Sequence, residues 1–78
     1  MRPKEMQCII TFQTTTEALL FEQAAKKAGL QGRIIPVPRE ITAGCGLSWK
    51  DNINVKGDLE RLLAEQKLGF DHIYELKV

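Results

Sequence analysis

Arg33-Ile34-Ile35-Pro36-Val37-Pro38-Arg39-Glu40-Ile41-Thr42-Ala43-Gly44-Cys45-Gly46-Leu47 is the stretch that decides the fold. Its opening, residues 33–37, is rich in β-branched side chains and reads as a strand, yet it contains Pro36. Proline donates no ladder hydrogen bond, so this strand belongs at a sheet edge or ends there. Pro38 closes the extended piece. Residues 39–46 then form a loop, and a short strand resumes at Leu47 and runs to Lys50 or Asp51. Two of the three prolines, two of the six glycines and one of the two cysteines fall inside this stretch. The rest of the chain reads as scaffold for it.

Working outward toward the N-terminus, residues 6–13 alternate Met6, Cys8, Ile10 and Phe12 against Gln7, Ile9, Thr11 and Gln13. That period of two predicts a strand with one apolar face, with Cys8 as a small buried hydrophobe on it. Thr14 followed three positions later by Glu17 fits a capping box. The helix it opens runs to about Ala28, where Gly29 supplies a left-handed stop. Ala18, Phe21, Ala25 and Ala28 share one face, with Leu20 and Ala24 beside it. Glu22 and Lys26 are placed to pair on the solvated side. Residues 30–32 are a turn.

Toward the C-terminus, residues 51–57 read as a polar linker with Ile53 and Val55 tucked inward. A second helix begins near Lys56 or Asp58 and ends near Lys67, with Leu59, Leu62 and Leu63 as its buried stripe and Gly69 as its stop. Residues 71–76 or beyond make a last strand. The order is strand, helix, strand, strand, helix, strand. It predicts an α+β, ferredoxin-like sheet of four antiparallel strands with two helices on one face. The usual spatial order of that arrangement, fourth-first-third-second, puts the second strand at an edge, where Pro36 independently requires it.

Seventy-eight residues make a single domain, 1–78, near the lower size limit for a self-sufficient core. A formal charge of +1, with both signs spread along the chain, gives no electrostatic case for nucleic acid or an anionic membrane. RNA-recognition domains share the element order, but their aromatic-rich third strand is missing from Leu47-Ser48-Trp49-Lys50. Two cysteines and one histidine cannot fill a four-ligand zinc site within one chain, which leaves open only a site shared in an oligomer. No apolar run approaches the ~20 residues of a membrane span, and residues 1–5 lack the apolar segment of a signal peptide. The expectation is a cytoplasmic protein with its cysteines as thiols.

Chemistry points to Cys45. Gly44 and Gly46 leave its thiol without a bulky neighbour and permit a sharp turn that pushes the sulfur outward. The reactive form is the thiolate, and three features can favour it. Arg39 brings a cation into the same loop, with Lys50 a more distant one. The backbone N–H groups of Gly44, Cys45 and Gly46 can form an anion-binding concavity. The first helix also points its positive end toward this end of the sheet. Residues 14–16 and the Asp71-His72 pair share that end. Cys8 lies about five residues back along the first strand, roughly 16 Å at about 3.3 Å per residue, too far for a disulfide with Cys45. His72, Glu40 and Asp71 read as strand-start, solvated or turn residues without assigned chemistry.

Ile35-Pro36-Val37-Pro38-Arg39-Glu40-Ile41 followed by Gly44-Cys45-Gly46-Leu47 resembles the signature of the Putative Se/S carrier protein-like family, a group of small bacterial and archaeal domains. Ile10-Thr11-Phe12 with Thr14 to Thr16 and Glu17, and Ile73-Tyr74-Glu75-Leu76, resemble that family's ends. The likeness covers nearly the whole chain. It implies that Cys45 is a carrier thiol holding selenium or sulfur covalently as a perselenide or persulfide, with no other cofactor. Arg39 and Glu40 belong to the motif without an assigned role. The implied partners are a donor of the cysteine desulfurase or selenocysteine lyase type and a selenium or sulfur acceptor protein. The resemblance points to a stoichiometric carrier, with sulfurtransferase-like turnover left open.

Two other readings stand beside it. A ferredoxin-like domain can serve as a small-molecule binding or regulatory module in which Cys45 only lines the loop. It can also assemble through an exposed sheet face, with Ile9 and Trp49 as contact residues, although a lone tryptophan in so small a domain is more often core.

Overall fold

The computed structural model describes residues 6–41 and 46–77. The chain forms β1 (Met6–Thr11), α1 (Thr15–Lys27), β2 (Arg33–Pro36), β3 (Leu47–Asn52), a 3-10 turn (Ile53–Val55), α2 (Lys56–Glu65) and β4 (Ile73–Lys77). The four strands make one sheet in the order β2-β3-β1-β4, each adjacent pair antiparallel. This is the expected ferredoxin-like arrangement. β2 lies at one edge and ends on Pro36, opposite Leu47.

One face of the sheet carries the core. Cys8, Ile10 and Phe12 of β1 and Trp49 of β3 pack with Ala18, Phe21 and Ala25 of α1 and Leu59, Leu62 and Leu63 of α2. Phe21 stacks against Phe12 with ring centroids 5.6 Å apart and meets Trp49 edge-on at 5.3 Å. Burying each of these large side chains contributes about 1.5–3 kcal/mol. Trp49 donates its indole N–H to Asp51 Oδ2 at 3.3 Å, and the other oxygen of that carboxylate accepts from the Asn52 N–H at 2.8 Å. Asp51 is thus buried with its acceptors used. Gly32 precedes β2 where a Cβ would collide with the Lys50 carbonyl oxygen and crowd Trp49 and Asp51, so only glycine lets the chain pass.

Central strand β1 is buried on both faces: Ile9 and Thr11 are as inaccessible as Cys8 and Ile10. Ile9 and Trp49 therefore do not form one exposed surface. Trp49 sits in the helix-side core, and Ile9 points the other way, between Lys50 and Tyr74 in register.

Both helices end as Schellman caps. In α1 the Leu30 N–H reaches the Ala25 carbonyl at 3.0 Å and Gly29, at φ 81°, bonds Lys26. In α2 the Leu68 N–H reaches the Leu63 carbonyl at 3.0 Å, and the left-handed position is held by Lys67 at φ 52°. This corrects the expectation that Gly69 is the stop. Gly69 serves a different need, because a Cβ there would run into the Glu17 carboxylate. On α1, Ala28 and Leu20 are exposed, which narrows the buried face to Ala18, Phe21 and Ala25. The linker is partly ordered as the 3-10 turn, capped by the Asn52 side chain, with Ile53 and Val55 against the core.

Candidate functional site

The antiparallel register sets the end of β1, the start of β3, the start of β4 and the start of α1 at one end of the sheet. The β2–β3 loop leaves and re-enters there. Gly44 and Cys45 of the expected site lie outside the described residues, and Arg39 and Gly46 lie within them. The loop's mouth is closed by the Val37 N–H, which donates to the Gly46 carbonyl at 3.0 Å, one pairing beyond the Pro36–Leu47 end of the ladder. Gly46 is exposed at φ 77°, a left-handed backbone that glycine adopts without a Cβ penalty. The Ile41 N–H donates to the Pro38 carbonyl at 3.0 Å, making a tight turn with Arg39 and Glu40 at its exposed tip. Ile41 turns back inward and is buried outside the helix-side core cluster. Ser48 Oγ adds a bond to the Ile35 carbonyl at 3.3 Å just inside the loop. The segment bearing Cys45 thus leaves from a buried residue and returns to a hydrogen-bonded glycine.

The start of the first helix is capped locally. Thr14 Oγ1 accepts from the Glu17 N–H at 3.2 Å, and the Glu17 carboxylate accepts from the Gln13 N–H at 2.9 Å. A carboxylate in the first turn answers the positive end of α1 itself. The capping box forms, with the returning bond falling on Gln13.

Sequence reasoning placed Asp71 and His72 at this end but gave them no joint role. They sit together in a bulge. The Asp71 N–H donates to the Thr11 carbonyl at 2.7 Å, while the Thr11 N–H donates to the His72 carbonyl at 2.8 Å. Two residues thus oppose one, the geometry that brings successive side chains to the same side of a sheet. His72 Nδ1 lies 3.0 Å from Asp71 Oδ1. The His72 N–H donates to Thr11 Oγ1 at 3.1 Å, and the Thr11 hydroxyl has Asp71 Oδ2 at 3.4 Å and the His72 carbonyl at 3.3 Å as acceptors. The pairing makes Nδ1 the nitrogen that faces the carboxylate. The sequence signal was present, an Asp-His dipeptide before a strand, but nothing in spacing reveals a bulge.

Cys8 is a free thiol with no exposed surface. Burial, offset only in part by the Lys56 ammonium, pushes its pKa from 9.0 to about 11. At neutral pH it stays protonated, walled off from solvent and without nucleophilic character. The chain's other cysteine, Cys45, lies outside the described residues. Among the described residues no group of three or more histidine, cysteine or acidic side chains is placed to hold a metal ion. No helix among them is long and apolar enough to cross a membrane.

The family model described as Putative Se/S carrier protein-like matches residues 7–75. The chain belongs to that family. The match extends from β1 into β4 and so spans both the cysteine loop and the elements that carry it. No curated protein and no solved structure gives a match.

Proposed function

We propose that this Se/S carrier-like chain holds selenium or sulfur on Cys45 and hands it from a donor enzyme to an acceptor protein. The observation that carries the proposal is the contrast between the two cysteines within a chain of this family. Cys8 is a core residue whose thiol resists ionisation, which leaves the glycine-flanked Cys45 as the candidate nucleophile.

The transfer needs no net redox change. A donor cysteine bearing a persulfide, R–S–SH, meets the Cys45 thiolate, which attacks the terminal sulfur. The Cys45 S–S bond forms as the donor S–S bond breaks. The donor leaves as a thiolate and takes up the proton that Cys45 gave up, so R–S–SH and Cys45–SH become R–SH and Cys45–S–SH. With selenium the same exchange gives Cys45–S–SeH. The donor is of the cysteine desulfurase or selenocysteine lyase type. Exchange speed follows the thiolate fraction and the leaving thiol. A loop held at both ends on a rigid sheet suits presentation of one atom to two different proteins.

A chase with labelled sulfur tests the hand-over. Chain loaded from a desulfurase and freed of it should pass its label to an acceptor thiol protein. Label released only as free sulfide, with the acceptor present, would count against a carrier.

A further inference from the structure

At the opposite end of the sheet from the cysteine loop, Arg33 stands directly across from Lys50 in the β2–β3 register. Directly opposed side chains on neighbouring strands have Cβ atoms about 4.5–5.5 Å apart, and like charges in that position destabilise the sheet. Neither cation makes an ion pair among the described residues. The adjacent carboxylate, Asp51, is buried and holds the Trp49 indole and the Asn52 N–H. An edge strand of four residues therefore opens with two cations opposed across the ladder.

The two cations line one depression of about 300 Å³, with Gln7, Gln31 and Asn52 and with the Asp51 edge in its wall. Three amide-bearing residues line the same space as an arginine and a lysine. Gly32 also lines it, at a point where the backbone runs too close to the Lys50 carbonyl for a Cβ.

We propose that this depression is an oxyanion site that takes a phosphate group, as the free ion or at the end of a small phosphorylated molecule. A guanidinium offers two parallel N–H donors to two oxygens, the ammonium answers a third, and the amides complete the shell. The bound dianion removes the Arg33–Lys50 repulsion, which accounts for two like charges facing each other at a strand start. The site uses none of the residues of the cysteine loop, so it stands or falls independently of the carrier reading.

The experiment is an amide NMR titration of the full chain with inorganic phosphate, with adenosine monophosphate, and with potassium chloride at matched ionic strength. Saturable shifts are expected at Gln31, Gly32, Arg33, Lys50, Asp51 and Asn52 with both phosphates and not with chloride. Arg33→Gln and Lys50→Gln should each weaken binding at least tenfold. Both variants should melt no lower than wild type in phosphate-free buffer, since the repulsion is gone, whereas phosphate should raise the melting temperature of wild type alone. Equal affinity for the two probes assigns the free ion, and tighter binding of the monophosphate assigns a phosphorylated molecule. Shifts reproduced by chloride, or binding unchanged in both variants, would overturn the site.

Discussion

Val37 and Gly46 are joined across the mouth of the cysteine loop by a 3.0 Å backbone hydrogen bond, and Gly46 accepts it while held at φ 77°. The bond needs the chain to return to β3 through a left-handed residue. Among the described residues, its chain neighbours aside, nothing lies within 4 Å of where a Gly46 Cβ would stand, so the penalty argued for a side chain there is one of backbone conformation. Gly46→Ala is expected to cost about 1–2 kcal/mol in urea unfolding. Gly46→Asn should recover part of that loss, because asparagine tolerates the left-handed region.

Lys67 occupies the same kind of position without being glycine. It is the left-handed residue of the α2 Schellman cap, where α1 uses Gly29. Lys67→Gly should stabilise the fold by about 1 kcal/mol, and Gly29→Ala should destabilise it by a similar amount. Chemical denaturation of the two variants checks both signs.

Cys8 gives the protein a stability dependence in alkali. Its thiol holds its proton to about pH 11 in the folded state and loses it near 9.0 when exposed. The folded state binds the proton more tightly, so this contribution is complete below about pH 9 and is lost as pH rises toward 11. The amount is on the order of 2–3 kcal/mol. Unfolding free energies between pH 8 and 11 should fall in wild type. The slope should be shallower in Cys8→Ala, whose core cavity lowers stability at every pH.

Thr11 ties β1 to the Asp71-His72 bulge through one buried hydroxyl. Thr11→Val keeps the shape and removes the acceptor of the His72 N–H. A loss of about 1–3 kcal/mol is expected. Faster amide exchange at His72 in the variant would locate the cause.

Much of this fold is written in periodicity. The alternation from Met6 to Phe12, the Thr14–Glu17 cap and the leucine stripe of α2 each name their element, and Pro36 names the edge. What sequence left hidden depends on contacts between distant segments. Gly69 looked like a helix stop because a glycine after a helix usually is one, and only the Glu17 carboxylate beside it shows its purpose. Lys67 broke the same rule from the other side. Asp71 reads as a solvated or turn residue and His72 as a strand start because a bulge has no signature of its own, and the opposition of Arg33 and Lys50 needs the register to be seen. The burial of Cys8 was legible in the alternation of β1, whereas Cys45, singled out by its glycines and motif, lies outside the described residues. The bond that frames its loop was not legible, because it joins residues nine apart through backbone atoms alone.

The most direct measurement is intact mass of wild-type, Cys45→Ala and Cys8→Ala proteins after incubation with a donor. One mixture holds a cysteine desulfurase with cysteine and the other a selenocysteine lyase with selenocysteine, each followed by alkylation without reductant. Wild type and Cys8→Ala should gain the mass of one sulfur or one selenium, and Cys45→Ala should gain nothing. Stoichiometric loading that persists in Cys45→Ala, or no loading of wild type by either donor, would contradict the carrier account.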